Sequence, residues 1–389
     1  MLPDFENTAI AFELKTDSQL ERAYFLFKMI ANEPLVRIGT AVTNFAIKAH
    51  LPVEGLIRAT VFDHFCGGVN EEDCMSIIDT LYKKGVCSIL DYSVEGKKIE
   101  NQFDFTLGKV LEVLDFVKKK EAIPFAVFKP TGFGRFGLYE KVSLGEDLNE
   151  DESAEWNRIV NRYDQVCKKA HDLDVALLID AEESWMQDAA DAIATQMMNK
   201  YNQEKVVVFN TIQMYRWDRM DYLKTLHETA VKQNFKIGLK VVRGAYMEKE
   251  NERAEEYNYQ SPICNSKNAT DENFNAAISY MMMHLDRISI FAGTHNEESC
   301  LKLISQMSDA SIKTSDNGIW FGQLYGMSDH ITFNLTAAGY NAAKYIPYGP
   351  VKDVMPYLIR RAEENTSVAG QTTRELDLIK KERKRREEK

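Results

Sequence analysis

The sequence predicts an α/β protein whose main domain is a (β/α)8 barrel, preceded by an N-terminal helical arm. Three observations lead there. Eight short apolar runs recur from residue 85 onward, each followed by a polar stretch of helical character. Runs of this kind read as strands buried on both faces, as parallel sheets require. Asp91, Lys129, Asp180, Gln213, Arg243, His295 and Leu324 fall at or just beyond the ends of those runs, where barrels of this class carry their chemistry. Eight units with nothing left over fit a closed barrel better than an open sheet.

Along the arm, assigned to residues 1–84, Leu20, Tyr24 and Phe27 with Phe25, Leu26 and Met29 make an apolar-rich helical run, and residues 54–65 and 72–83 read as further helices. The barrel, residues 85–371, opens with VCSILDY and continues through FAVFK, VALLID, VVVFNTIQ, IGLKVV, ISIFAGT, IWFGQL and KYIPY. After FAVFK, the glycines Gly132, Gly134 and Gly137 imitate a dinucleotide fingerprint. Such a fingerprint opens directly into a helix and has an acidic residue about 20 positions later at the next strand end. Here the loop is expected to continue through LYEKVSLGED, and the next strand ends only at Asp180. The segment therefore reads as a flexible βα loop that could act as a lid. Residues 372–389 end in KKERKRREEK, a mixed-charge helix former without an apolar stripe. A frayed, solvated tail is expected, with contact between its cations and an anionic membrane surface as the weaker reading.

With 44% apolar and 11% aromatic residues over 389 positions, the chain can bury a large core. A formal net charge of -11 and the absence of a dense basic face argue against nucleic acid as a partner. An acidic substrate would have to be met by a local cluster of cations. No apolar run approaches the roughly 18 residues of a spanning helix, and MLPDFENTAI is acidic rather than leader-like, so a cytoplasmic location without a membrane-spanning segment is expected. The six cysteines form no CxxC pair and read as reduced and structural, with no metal site expected.

The most informative stretch is KVVRGAYMEKE, residues 240–250, where a strand exits through Arg243, Gly244 and Ala245. Small residues at a strand exit let a planar or phosphorylated ligand approach the backbone. At Asp180, Ala181, Glu182 and Glu183 a carboxylate cluster ends VALLID, which by itself suits either a helix start or a site. Arg360 and Arg361 are neighbours on the helix after the last strand and diverge by about 100 degrees. They face one ligand only at a helix end or where the helix crosses the barrel mouth. Two guanidinium forks with Lys129 would hold a carboxylate; the alternative is surface pairing with Glu363 and Glu364.

In combination, FAVFKP, LLIDAEE, TIQMY, VRGAY, FAGTHN, FGQLYGM and YLIRRAEENTS resemble proline dehydrogenases, over residues 86–371. The resemblance implies a monofunctional, FAD-dependent enzyme that takes a hydride from L-proline, giving pyrroline-5-carboxylate. Electrons would pass on to a quinone, and a separate pyrroline-5-carboxylate dehydrogenase would act downstream. It implies catalytic roles for Asp180 and Lys240, the latter near the flavin N5. Lys129, Arg360 and Arg361 would hold the substrate carboxylate, with Glu95 paired to Arg360. Tyr345, Tyr357 and Leu324 would wall the proline ring. FAD would be held by Ala181, Gln213, Lys240, Val242, Arg243, Gly244, Ala245, Thr294 and His295. Electron delivery to a quinone suits peripheral contact at the inner membrane face.

Three departures stand out: Lys240 where several relatives carry arginine, Met247 where some carry tryptophan, and Pro130 with Thr131 in place of serine or threonine and alanine. Hydroxyproline dehydrogenase is the alternative on the same scaffold. Bulky Tyr345, where the hydroxyl-bearing carbon would lie, favours proline.

Overall fold

A computed structural model of the chain describes residues 2–32, 58–92, 99–367 and 371–388, with isolated positions 34, 36, 39 and 55. In chain order, helices α1 (Thr8–Ala11) and α2 (Asp17–Ile30) are followed by a π-helical turn (Arg58–Phe62) and α3 (Glu71–Tyr82). Then come β1 (Val86–Tyr92), α4 (Glu100–Val117), β2 (Phe125–Phe128), α5 (Phe136–Ser143), α6 (Glu150–Leu173), β3 (Ala176–Ile179), α7 (Ser184–Tyr201) and β4 (Val208–Gln213). The chain continues through α8 (Arg219–Gln233), β5 (Ile237–Val242), α9 (Met247–Glu256), α10 (Lys267–Met282), β6 (Ile288–Gly293), α11 (Glu297–Asp309) and β7 (Ile319–Leu324). It ends with α12 (Asp329–Ala337), β8 (Ala342–Tyr348), α13 (Val351–Ser367) and α14 (Gln371–Glu387). The strands form a closed barrel in sequence order. Each falls on its expected apolar run, because all eight are buried almost throughout, a pattern that only strands covered on both faces need.

Two compact units emerge from the contacts, Gly96–Phe321 and a discontinuous one made of Met1–Glu95 with Gly322–Lys389. In the continuous unit, register pairs Phe209 with Gly238, Thr211 with Lys240 and Gln213 with Val242, so the two-residue period of a strand sets these residues on one face. Phe125 fills that region by meeting Phe209, Phe291 and Trp320 edge to face at 5.8, 5.2 and 5.1 Å. A side chain at Gly238 would strike the Phe209 ring at 2.6 Å.

The glycine-rich segment after β2 departs from the sequence expectation. It is a packed turn, Pro130–Gly132, that runs into helix α5. Phe133 is fully buried and stacks on Phe128 at 4.5 Å, and a Cβ on Gly134 would lie 2.2 Å from Ile159 of α6. Close packing between elements therefore explains Gly134, with no phosphate required.

Within the discontinuous unit, β1 pairs in parallel with β8. The expected frayed tail is instead α14, whose Leu378 and Ile379 are buried with Ala11, Phe12, Leu20, Ala23 and Phe27. The apolar residues Leu376, Leu378 and Ile379 span barely one turn and are followed by an all-charged run, residues 380–389, which is why the stripe escapes a reading of that run. The tail's cations are engaged locally: Lys381 with Glu6 at 2.7 Å, Arg383 with Glu21 at 2.5 Å, Arg386 with Asp17 at 2.7 Å. Among the described residues no helix is long and apolar enough to cross a membrane.

Leu378→Ala is expected to cost about 2–5 kcal/mol through the cavity it leaves. Urea denaturation measures this, and an unchanged midpoint would restore the solvated-tail reading.

Candidate active site

Asp180 follows β3, and its backbone N–H donates to the Phe128 carbonyl at 3.0 Å, which draws the end of β3 against the end of β2. That brings Lys129 within reach: its Nζ lies 3.7 Å from Asp180 Oδ2. The other carboxylate oxygen, Oδ1, accepts from Lys240 Nζ on β5. Lys240 is only 5% exposed, so its ammonium is held where an uncompensated charge would be costly. One aspartate thus bridges two lysines from different strands. Lys129, Asp180 and Lys240 form a single cluster.

A second cluster stands at the ends of β5 and β6. Arg243 donates through Nε to Asp271 at 2.7 Å, through Nη1 to Thr294 Oγ1 at 2.7 Å and through Nη2 to Ser299 Oγ at 3.0 Å. Its guanidinium also lies 4.5 Å from the Phe274 ring centroid. With three bonds and a ring face, this side chain has one orientation. Gly244 follows at φ +131°, a backbone region that disfavours side chains, and a Cβ there would meet Tyr215 at 2.5 Å. Its glycine is demanded by the turn itself. Both Gly244 and Ala245 are exposed, while Val242, His295 and Ala181 are half-buried.

Gln213 ends β4, 3% exposed, with its Oε1 buried and lacking a hydrogen-bond partner among the described residues. Buried polar atoms are rarely left in that state. A polar group of a ligand at these strand ends would satisfy it, and together with the exposed Gly244 backbone this fits a flavin whose edge carries both donors and acceptors. By the same fit Arg243, Thr294 and Lys240 are residues that could hold it.

Of the residues expected in the discontinuous unit, Tyr345 lies on β8 and Tyr357 on α13, both buried, while Leu324, Arg360 and Arg361 are half-buried. Tyr325 N–H donates to the Tyr345 carbonyl at 2.8 Å, tying the residue after Leu324 to β8. Tyr357 and Arg361 are one helical turn apart, so they share a face, and the Arg361 guanidinium lies 5.5 Å from the Tyr357 ring centroid. Glu95 lies outside the described residues.

Several residues were missed in the sequence. Glu182, read only as part of an acidic cluster, is 6% exposed; it accepts from Thr131 N–H at 2.8 Å and from Thr131 Oγ1–H at 2.7 Å. Burial pushes its carboxyl up to about 7, against the opposing bonds from Thr131. Asp271 and Ser299, which brace Arg243, carry no strand-end signal. The other unit holds a buried ion cluster: Lys344, wholly buried on β8, pairs with Asp329 at 2.9 Å, and Lys15 reaches the same carboxylate at 3.0 Å. Burial alone would raise Asp329, but the two lysines outweigh it and hold the carboxyl well below the usual range.

A parallel barrel with charged and polar groups gathered at strand ends defines a (β/α)8-barrel enzyme. The chain belongs to the proline dehydrogenase family, whose model matches residues 74–374. The Carbapenem antibiotics biosynthesis protein CarD of Pectobacterium carotovorum subsp. carotovorum is 35% identical over 362 residues, covering 92% of this chain and 94% of that one. Proline dehydrogenase 1, mitochondrial, of Drosophila melanogaster is 40% identical over 241 residues, 59% of this chain and 35% of the fly protein. A hydroxyproline dehydrogenase of Xenopus laevis is 28% identical over 412 residues, 96% of this chain and 88% of that one. Among solved structures, proline utilization A from Bdellovibrio bacteriovorus, inactivated by N-propargylglycine, superposes with a TM-score of 0.73 at 19% identity. The match covers 92% of this chain and 38% of that one, and bears on the fold.

Glu182 gives a pH prediction. Its carboxyl titrates higher in the folded protein than in the unfolded chain, where a glutamate has its ordinary value of about 4.5. The stability it contributes is therefore complete below about pH 4.5 and is lost as pH rises through about 7. Wild type is expected to lose stability relative to Glu182→Gln, which does not titrate, between about pH 5 and pH 8. Urea midpoints at the two pH values check this, and parallel curves would contradict it.

Proposed function

We propose that the protein oxidises L-proline to pyrroline-5-carboxylate with FAD as electron acceptor, and passes the electrons on to a quinone. The observation that carries this reading is Asp180 bridging Lys129 and Lys240, at the strand ends where the family motifs fall. When bound, FAD supplies the two-electron acceptor for the hydride on the ring carbon next to nitrogen. The substrate loses that hydride and one nitrogen-bound proton, and a C=N bond forms between the two atoms.

The chain's own groups bind and orient. Lys129, Arg360 and Arg361 are assigned to the substrate carboxylate, since fixed cations hold a carboxylate at a defined angle. Asp180 keeps Lys129 and Lys240 in register and offsets their charge, so that two ammonium groups coexist at low exposure. Lys240 is assigned to the flavin; as a compact point charge it lacks the planar fork of an arginine. Gln213, Arg243 and Thr294, with Ala181, Val242, Gly244, Ala245 and His295, are assigned to the cofactor. Tyr345, Tyr357 and Leu324 are assigned to the wall that excludes water from the ring, and Glu95 to pairing with Arg360.

Hydroxyproline oxidation is the second reading, favoured by the similarity to the Xenopus hydroxyproline dehydrogenase over 96% of this chain. The size of Tyr345 speaks for proline. A separate pyrroline-5-carboxylate dehydrogenase would use the product.

An anaerobic visible spectrum of the purified protein is expected to show bound flavin that bleaches with proline and less readily with hydroxyproline. A flavin that stays oxidised with both would remove the substrate assignment, and a protein that takes up no FAD would remove the reading as a whole. Arg361→Ala is expected to weaken proline binding by about 2–4 kcal/mol, through the carboxylate left unpaired. Steady-state kinetics with an unaltered proline dependence would contradict that role.

A further inference from the structure

Lys129 is followed by Pro130 and Thr131. The hydroxyl of Thr131 has a partner. Thr131 presents both its N–H and its O–H to the two carboxylate oxygens of Glu182, at 2.8 and 2.7 Å. The Pro130 carbonyl accepts from Tyr139 OH at 2.9 Å. The two residues after Lys129 are therefore held by three bonds from β3's exit and helix α5.

Glu182 is itself anchored from behind. Its N–H donates to Gln187 Oε1 at 2.8 Å, Gln187 Nε2 donates to Asp191 at 2.8 Å, and Asp191 accepts from Arg219 at 2.8 Å. All of Glu182, Gln187, Asp191 and Arg219 are buried. The charged and titratable groups around the Glu182 carboxyl are Lys129, Glu183, Tyr139 and Tyr163. Buried, fully bonded polar chains of this kind restrict side chains and backbone to one arrangement.

We propose that Thr131 and Glu182 form a positioning clamp that fixes the strand end carrying Lys129 and so sharpens recognition of the substrate carboxylate. The proposal rests on the assignment of Lys129 to that carboxylate. Neither clamp residue touches the substrate; both act through Lys129. A clamp of this type tightens binding of ground state and transition state alike, so its loss raises KM and leaves kcat nearly unchanged.

Three variants test it in the flavin-loaded full chain. The readouts are flavin content, kcat and KM for proline, and the equilibrium Kd of tetrahydrofuran-2-carboxylate, a carboxylate of the same ring size that cannot form an imine. Glu182→Ala removes both acceptors and is expected to raise KM and Kd about tenfold, with kcat within about twofold of wild type. Glu182→Gln still has an oxygen for the Thr131 N–H and an amide for its hydroxyl, so it should stay within about threefold of wild type. Thr131→Val keeps the shape and loses the hydroxyl, and should raise Kd about threefold.

A folded, flavin-loaded Glu182→Ala with wild-type Kd and KM would overturn the clamp while leaving the proline reading intact. If Glu182→Ala does not fold, Thr131→Val decides, and an unchanged Kd overturns the proposal. Wild type that binds neither proline nor the analogue would overturn the substrate assignment, and the clamp with it.

Discussion

An ammonium withdrawn from water must have a carboxylate within reach, and both units of this protein are arranged around that requirement. In one, Lys240 on β5 is 5% exposed and meets Asp180 after β3. In the other, Lys344 on β8 is wholly buried and meets Asp329 at the start of α12. Each pair links a strand to the segment that follows a different strand, so the charge requirement also sets where the loops leave the barrel. Each aspartate has a second lysine, Lys129 in the first case and Lys15 in the second. The chemistry assigned to the two differs, while the electrostatic logic is the same.

The residues assigned to substrate and cofactor are rigid for reasons of packing as much as of bonding. Arg243 is fixed by Asp271, Thr294, Ser299 and the face of Phe274. Gly244 is fixed by its own φ and by Tyr215. Sites set on strands and braced from a second layer hold their geometry better than sites set on loops alone. The segment after β2 illustrates this, since what reads as a loose glycine-rich loop is held by Phe133, Gly134 and the Tyr139 hydroxyl.

Much of the fold was legible because a parallel barrel repeats a strong signal. Every strand is a short apolar run, and eight of them exhaust the sequence after residue 85. The polar residues that interrupt the ends of the runs mark the site for the same reason: Asp180 and Arg243 break patterns that are otherwise apolar. What escaped notice lacks a period. Leu376, Leu378 and Ile379 span barely one turn before the all-charged residues 380–389, so α14 passed for a solvated tail. Glu182 lies in an acidic tetrapeptide-like run, and nothing local says that it points inward to Thr131. Asp271 and Ser299 meet Arg243 only through tertiary structure, and Lys344 follows two alanines with no hint of a partner at Asp329.

The pairing of α14 with α1 and α2 bears on how the chain reaches its folded state. Residues 96–321 form one continuous unit, whereas the other is assembled from both flanks of the sequence. The cluster that joins Phe12 and Leu378 and the ion pair of Asp17 with Arg386 close loops of several hundred residues, which are entropically late events. The continuous unit can therefore gather its own contacts before the two flanks of the sequence meet. Until α14 packs, the apolar face of Phe12, Leu20 and Phe27 lacks the cover of Leu378 and Ile379, and apolar surface exposed late in folding is where association between chains begins.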